Sequence, residues 1–293
     1  MQINGISGMK RKLFLIIVTG VFVLFLSMGG CGLIGSQIAR LTMDFRVLPS
    51  DNRILYEHGA EALANEAALH LSNALEAVET NQYGKFIEPV TIYAFASTKS
   101  FSKFSGISEE ARGAALGNEV YLSGMLLNMP NEVYGMLGHE LSHVQLSQKL
   151  GAIDFNRTLP RWFREGLAIY VSDGGGAPRH FETETIEKLI QGKHFLPESE
   201  GTLLNRTLKA TDSIGPRMFY SQSGMFVRYI AENQPLLFKR FMIHLQTGKE
   251  FKESFIEEFS SGVDEIFNSY IETLRKKHNQ SLNADSGNSP AAG

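Results

Sequence analysis

Apolar side chains recur every three or four positions along several stretches of the chain, and this spacing predicts amphipathic helices. In the first stretch, Leu71, Leu75 and Val78 repeat among alanines, and Gly84 is suited to end a helix. A long helix is therefore predicted between residues 54 and 80. The same pattern predicts helices over residues 131–150, 160–171, 220–233 and 235–246, with further helices up to Lys276.

Two short segments have a strand pattern instead. Pro89–Ala96 is rich in β-branched and aromatic residues, and Asn118–Ser123 is a second strand candidate close to glycine. The polar stretch Ser97–Gly113 between them is predicted to be a loop. The patterns together predict an α+β fold that is mostly helical, with a small sheet from Pro89 to Ser123 packed on the helix that carries His139.

Charge and cysteine content narrow the classes of function. The chain has 28 Lys+Arg and 31 Asp+Glu, a formal net charge of -3, so it offers no basic field for a nucleic-acid backbone. Nucleic acid is not expected as a partner. The single cysteine, Cys31, excludes an intramolecular disulfide framework and a cysteine-rich metal site. Any metal chemistry must therefore use histidines and carboxylates.

The N-terminus has the features of an export signal. Basic residues at positions 10–12 precede the apolar run Leu13–Met28, and two glycines then lead to Cys31. This order resembles a bacterial lipoprotein signal, in which the cysteine becomes the lipidated first residue. The alternative is an uncleaved membrane helix that continues to Ile34. Either anchor would hold the rest of the chain outside the cytoplasm, at the bacterial cell envelope.

The expected organisation has three parts. Residues 1–35 form the signal or lipoprotein anchor, and residues 36–277 form one domain with an N-terminal helix. Residues 278–293 are small and polar, and a disordered tail is predicted there.

The strongest chemical signal is the string His139-Glu-Leu-Ser-His143, which lies inside a predicted helix. Spacing of i and i+4 brings both imidazoles onto one face, about one turn apart, where they can bind one metal ion. Zn²⁺ accepts imidazole nitrogen readily. Glu140 is rotated away from that line, so its carboxylate can meet a water at the metal and act as a general base.

A hydrolytic zinc site usually has a third protein ligand, and Glu165 is the candidate. It lies in the next predicted helix, which a short turn would fold back against the first. Gly166 and Ala168 add little bulk beside it, and we expect them to permit a close approach of the two helices. The alternative is a solvated carboxylate paired with Arg161, four residues earlier.

The strings HELSH and WFREGLA together resemble the gluzincin zinc metallopeptidases, in particular the peptidase-MA-like group. The resemblance implies a zincin-like metalloprotease domain with zinc ligands at His139, His143 and Glu165 and a catalytic carboxylate at Glu140. It also implies that an extended peptide substrate lies along the strand near residues 120–122.

The remaining aromatic candidates have less specific signals. Tyr220 is a candidate donor to the oxyanion formed during hydrolysis, and Tyr134, Tyr170 and His180 compete for that role. Trp162 is expected to be a packing anchor rather than a substrate contact.

The sequence therefore predicts a membrane-anchored, extracytoplasmic zinc metallopeptidase that acts on a peptide or protein substrate. One alternative is a non-catalytic envelope lipoprotein in which the zinc is structural and the domain is a binding or assembly module. Another is a zinc amidase that acts on cell-wall peptides, with the same chemistry and a different substrate.

Overall fold

A computed structural model describes residues 42–176, 182–197 and 214–287. The predicted anchor segment with Cys31, the candidate His180 and the last residues of the predicted tail lie outside these ranges. Within them, no helix is both long enough and apolar enough to cross a bilayer.

The described ranges alternate strands and helices at first and are helical afterwards. The strands are β1 (Phe45–Leu48), β2 (Asp51–Glu57), β3 (Thr91–Ala94), β4 (Gly113–Leu116) and β5 (Glu119–Leu122). The helices are α1 (Glu61–Asn81), α2 (Thr98–Ser105), α3 (Val133–Leu150), α4 (Ala152–Thr158), α5 (Arg161–Val171), α6 (Glu182–Ile190), α7 (Pro216–Asn233), α8 (Pro235–Gln246), α9 (Phe251–Phe259) and α10 (Val263–Gly287). The α+β prediction is confirmed, and the molecule is mostly helical.

The strands form one five-stranded mixed sheet in the order β1-β2-β3-β5-β4. The central pairs β2–β3 and β3–β5 are parallel, whereas the outer pairs β1–β2 and β4–β5 are antiparallel. The strand near residues 120–122, expected to receive substrate, is β5, and it has a neighbour on each side. That expectation is wrong, because an inner strand has no backbone groups left to pair with a peptide. Among the residues that the structure describes, the outermost strand on that side is β4.

Helices cover both faces of the sheet. Buried residues of α1 and α3 form one core with sheet residues such as Ile54, Ile92 and Val120. On the other face, Phe101 and Phe104 pack with Phe95 and Tyr121 in a separate aromatic cluster. The predicted packing of a small sheet on the His139 helix is therefore confirmed.

Two predictions of secondary structure near the sheet are wrong. Residues from Ile54 to Glu57, predicted to begin a helix, belong to β2, because they pair with β1 and β3 and the helix begins only at Glu61. The predicted loop after Ser97 contains α2. Ser97 caps this helix by accepting a hydrogen bond from the Ser100 amide at 3.0 Å, and the phenylalanines of α2 give it a buried face.

The last helix continues into the segment that was predicted to be disordered. Helix α10 continues past His278 to Gly287, so the first part of the segment predicted to be disordered is helical. The physical reason is local, since no proline interrupts the segment before Pro290.

A close contact between α5 and α7 sets the position of the predicted zinc ligand on α5. A Cβ added to Gly166 would lie 2.4 Å from the carbonyl oxygen of Ser223, and one added to Gly224 would lie 2.5 Å from Cγ2 of Ile169. Gly166 therefore permits the approach of α7. The expected reason, an approach to the helix of His139, is wrong for this glycine.

Replacement of Gly166 by alanine tests this contact, because the direction of the change in the free energy of unfolding depends on whether α7 is close. In an unobstructed helix interior, alanine is about 0.8–1.0 kcal/mol more favourable than glycine. At position 166 the added methyl group meets backbone atoms, so we expect Gly166→Ala to lower the free energy of unfolding by about 1–3 kcal/mol. Chemical denaturation provides the measurement.

The exposed position Ser72 in α1 supplies the control, because Ser72→Ala should be more stable than Ser72→Gly. A stabilised Gly166→Ala variant would show that α5 and α7 are not in close contact.

Candidate metal centre

The two histidines of the HELSH string lie next to each other on α3. Their Nε2 atoms are 3.3 Å apart, and their rings meet edge-on with centroids 4.9 Å apart. His139 is 7% exposed, and His143 is partly buried. The helix therefore presents two imidazole nitrogens to one point, as the i, i+4 spacing predicts.

Glu165 completes a triangle with these nitrogens. Its Oε2 atom lies 3.5 Å from Nε2 of His139 and 3.5 Å from Nε2 of His143. The three side chains form a group of potential metal ligands within the described residues. The third candidate ligand is thus brought to the other two, although it comes from a different helix.

The size of this triangle fits a tetrahedral metal ion. In a regular tetrahedron, two ligand atoms are separated by about 1.63 times the metal–ligand bond, so bonds of roughly 2.0–2.1 Å place the ligands about 3.3–3.4 Å apart. The observed separations of 3.3, 3.5 and 3.5 Å agree with this value. The donor set of two imidazoles and a carboxylate is one that Zn²⁺ accepts. The residues present therefore fit a zinc ion.

A backbone carbonyl orients the first histidine. Nδ1 of His139 lies 3.0 Å from the carbonyl oxygen of Gly175, which can only accept, so Nδ1 carries the hydrogen and Nε2 is left to bind a metal. The loop after α5 reaches this position because Gly135 has no side chain. A Cβ on Gly135 would lie 3.1 Å from Cα of Gly175.

The second histidine is held by packing. Its ring meets the ring of Phe155 edge-on at 5.9 Å, and its buried Nδ1 has no hydrogen-bond partner among the described residues. Phe155 is in turn covered by Arg164, whose guanidinium carbon lies 5.1 Å from the Phe155 ring centroid. Shape rather than a hydrogen bond therefore limits the rotation of the His143 ring.

The pKa values of the two carboxylates at the site, Glu140 and Glu165, are shifted in opposite directions. Burial raises the pKa of Glu140, although the nearby His139 and His143 partly oppose it. Burial acts in the same direction on Glu165, but there the attraction of His143 and His139 is stronger and holds its pKa well below the usual range. Glu165 is thus suited to remain an anionic ligand, and Glu140 is better suited to accept and release a proton.

Glu140 lies directly beneath the start of the edge strand. It is 6% exposed, and a Cβ added to Gly113 would lie 2.9 Å from its Oε1 atom. Glu140 is not one of the three grouped ligands. A side chain at position 113 would press on this carboxylate, so the glycine keeps the space between β4 and Glu140 free.

Tyr220 is within electrostatic reach of both carboxylates. The charge of Glu165 is the largest cause of a raised pKa for its phenol, burial adds to this, and Glu140 contributes less. The phenol therefore stays protonated at neutral pH and can donate a hydrogen bond. Arg161 lies beside Tyr220, with its guanidinium carbon 5.9 Å from the ring centroid.

Tyr170 and Tyr134, the other tyrosines considered as oxyanion donors, contact other aromatic side chains. The ring of Tyr170 packs on Phe238 at 6.1 Å, and that of Tyr134 meets His70 at 5.7 Å. Trp162 is 2% exposed and stacks on Phe195, as expected for a packing anchor.

Sequence reasoning missed three contributors to the site, namely Gly113, Gly175 and the orientation of Arg161. Isolated glycines carry no specific signal, and the contact that each one permits depends on a distant part of the chain. The spacing of Arg161 and Glu165 on one helix predicts only a contact between these two residues. In the structure Glu165 faces the imidazoles, and Arg161 turns toward α7.

A cavity of about 360 Å³ opens between the start of α3 and the loop that follows α5. It is bounded by Arg112, by Tyr134 and Gly135 at the start of α3, and by the loop that carries Gly175. The same loop accepts a hydrogen bond from His139 through the Gly175 carbonyl, but none of the three candidate ligands lines the cavity.

A second group of possible ligands, formed by His244, Glu257 and Glu258, lies on α8 and α9. The Nδ1 atom of His244 is 3.5 Å from Glu258 and 3.9 Å from Glu257. Each carboxylate also has a cationic partner, Arg240 at 2.6 Å and Lys249 at 3.1 Å respectively. These cations balance the charge, so the group is an ion-pair network joining the two helices.

A scan of known protein families finds none that matches this chain, and no curated protein matches it either. The assignment of chemistry therefore depends on the geometry described above.

Removal of the third ligand tests the metal centre. We expect Glu165→Ala to weaken Zn²⁺ binding by more than about 100-fold, since loss of an outer-shell partner alone costs about 10–100-fold. Competition with a chromophoric chelator measures the affinity of the purified full-length chain in detergent. The exposed Glu253 on α9 supplies the matched control, because Glu253→Ala should bind Zn²⁺ like the wild type. Equal affinities for the two variants would mean that the third ligand lies elsewhere.

Proposed function

We propose that this chain is a zinc-dependent peptidase of the gluzincin type. The observation that carries the proposal is the triangle formed by His139, His143 and Glu165, with the buried carboxylate of Glu140 beside it but outside the ligand group. A purely structural zinc site has no need of such a carboxylate. A hydrolytic site needs one to handle the proton of a water molecule.

In the proposed hydrolysis, the charge and position of each side chain give it a separate role. A Zn²⁺ ion held by the three ligands would supply Lewis-acid chemistry, since it lowers the pKa of water and polarises a carbonyl. Glu140 takes a proton from the attacking water and gives it to the departing amine, a role suited to its raised pKa. Tyr220 donates its phenolic hydrogen to the oxyanion that forms at the peptide carbonyl.

The edge strand offers a place for an extended peptide. Ser123 donates to the carbonyl of Arg112 at 2.9 Å, so alternate residues along β4 bond to β5. With the observed register, Ala114 is bonded to β5, whereas the backbone groups of Gly113 and Ala115 face the open edge. A peptide that added a strand there would pass over Glu140.

The anchoring of the enzyme is proposed from its N-terminal sequence. A basic cluster, the apolar run Leu13–Met28 and the following Cys31 support export and attachment to the membrane of the cell envelope, with the folded part outside the cytoplasm. Substrates would then be peptides or proteins of that compartment.

Glu140→Gln provides the principal test. We expect the variant to retain Zn²⁺ and the wild-type fold but to lose about 10²–10⁴-fold in peptide cleavage, because glutamine cannot carry the proton. The full-length chain in detergent is incubated with casein, cleavage is mapped by mass spectrometry, and zinc is measured by elemental analysis.

A wild-type chain that binds zinc but cleaves no peptide would favour a structural zinc site in a binding or assembly module. Cleavage of cell-wall peptides but not of casein would favour the amidase. Full activity in Glu140→Gln would refute the role assigned to this carboxylate.

Ala115→Pro tests the peptide-binding edge. Proline removes an amide hydrogen that faces away from β5, so the sheet should remain intact while the KM for an extended peptide rises about fivefold or more, in line with one lost hydrogen bond. Ala114→Pro is the matched control, because it removes an amide that bonds to β5 and should lower the melting temperature. An unchanged KM in a folded Ala115→Pro variant would show that peptides do not bind along β4.

A further inference from the structure

One face of α3, continued into the turn before it, lies against the start of the edge strand β4. Glu132, Met136 and Glu140 are spaced four residues apart, and Glu132, which directly precedes α3, already has helical backbone angles. Residues with this spacing form a row along one face of a helix. A Cβ added to Gly113 would lie 2.8 Å from Sδ of Met136 and 2.9 Å from Oε1 of Glu140. The first residue of β4 therefore rests on the second and third members of this row.

The first member of the row is joined to the residue just before β4. The guanidinium of Arg112 forms an ion pair with the carboxylate of Glu132, and the two side chains are 26% and 38% exposed. The backbone of Arg112 is also held, because its carbonyl accepts a hydrogen bond from the Ser123 amide at 2.9 Å. Arg112 thus links the sheet to the helix of His139 and His143 at the point where β4 begins.

The edge strand is short and follows an exposed loop. It has four residues and, in the part of the chain that the structure describes, one neighbouring strand, β5. Residues 106–110, which precede it, are all exposed. Gly113 has no side chain with which to fix the strand, and it can have none, because a Cβ there would collide with the row on α3. The adjacent side chain of Arg112 makes the attachment to α3 instead.

The position of β4 on α3 decides how well its outer edge can hold a peptide. The backbone groups of Gly113 and Ala115 face that edge, and Gly113 also lies over Glu140, the proposed proton carrier. Small displacements of groups that position a substrate are costly to an enzyme. A partly exposed ion pair contributes little to global stability, so the effect of this pair should appear in peptide binding more than in folding.

We propose that Arg112 and Glu132 are positioning residues for the peptide-binding edge: their ion pair holds the start of β4 on α3, with Gly113 over Glu140. The inference deepens the proposed function and rests on it. In this role neither side chain contacts the metal or the reacting atoms, and both act through the backbone of β4.

The activity test reverses the two charges. KM and kcat are measured on a quenched fluorescent peptide built from a casein site that the wild type cleaves, with its charged residues replaced by glutamine. We expect Arg112→Glu and Glu132→Arg each to raise KM by about fivefold or more, since repulsion displaces β4 and weakens at least one hydrogen bond to the peptide. The kcat should stay within about twofold, because only binding along the edge is lost. The double variant restores an ion pair, and its KM should return to within about twofold of the wild-type value.

Two results of this test would overturn the proposal. A double variant whose KM is no lower than that of the worse single variant would show that the pairing has no role. A KM that responds to Arg112→Glu but not to Glu132→Arg would make Arg112 a direct substrate contact, as its place in the cavity wall would allow. Arg275→Glu is the matched control, because it breaks an exposed ion pair with Glu272 on α10 and should leave KM unchanged.

Hydrogen exchange tests the contact without any activity. Ala114 bonds to β5, so exchange of its amide reports how firmly the start of β4 is held. In Glu132→Arg we expect exchange over residues 112–116 to be about two- to fivefold faster than in the wild type, in line with the loss of a partly exposed ion pair. The double variant should exchange like the wild type, and α10 serves as the internal reference.

The two measurements separate a failure of this inference from a failure of the proposed function. Equal exchange in Glu132→Arg and the wild type would refute the positioning role, whether or not the chain is a peptidase. Faster exchange in Glu132→Arg, together with a wild type that binds zinc but cleaves no peptide, would confirm the contact. That outcome would reject the peptidase assignment and, with it, the role of the pair in peptide binding.

Discussion

The convergence of three ligand atoms from two helices is the constraint on which the site depends. His139 and His143 are neighbours on one helix, so their separation follows from helical geometry. Glu165 must be delivered from α5 to within 3.5 Å of both nitrogens. Contacts on both sides of α5 achieve this. Gly166 lets α7 pack closely behind it, and the loop at its C-terminal end lies against the glycines of α3.

The same packing gives the two glutamates of the site different pKa values. Glu140 is buried and Glu165 is partly buried. The pKa of Glu140 is nevertheless raised and that of Glu165 lowered, because only Glu165 makes direct contacts with both imidazoles. This division suits a ligand and a proton carrier. The sheet also contributes to the site, because Gly113 leaves the space above Glu140 open. This space lies next to the edge of β4, which has no further strand beside it in the part of the chain that the structure describes.

Much of the secondary structure could be read from local pattern. The helix of His139 ends at Leu150, and α8 spans Pro235–Gln246, in agreement with the spacing of apolar residues and the position of proline and glycine. Errors arose where a tertiary partner overrode the local signal. Residues 54–57 became a strand because two neighbouring strands pair with them, and α2 formed because the sheet offered its phenylalanines a surface to cover.

The sequence by itself determined the chemical identity of the site. The spacing of the histidines in HELSH makes them neighbours on any helix, and the absence of other cysteines leaves carboxylates and imidazoles as metal ligands. Only the tertiary structure decided that Glu165, the predicted third ligand, reaches both histidines and is not paired with Arg161, and which strand forms the sheet edge. Arg161 lies instead against the aromatic rings of α7. These depend on contacts between residues far apart in the chain, and helix periodicity carries no information about distances between separate elements.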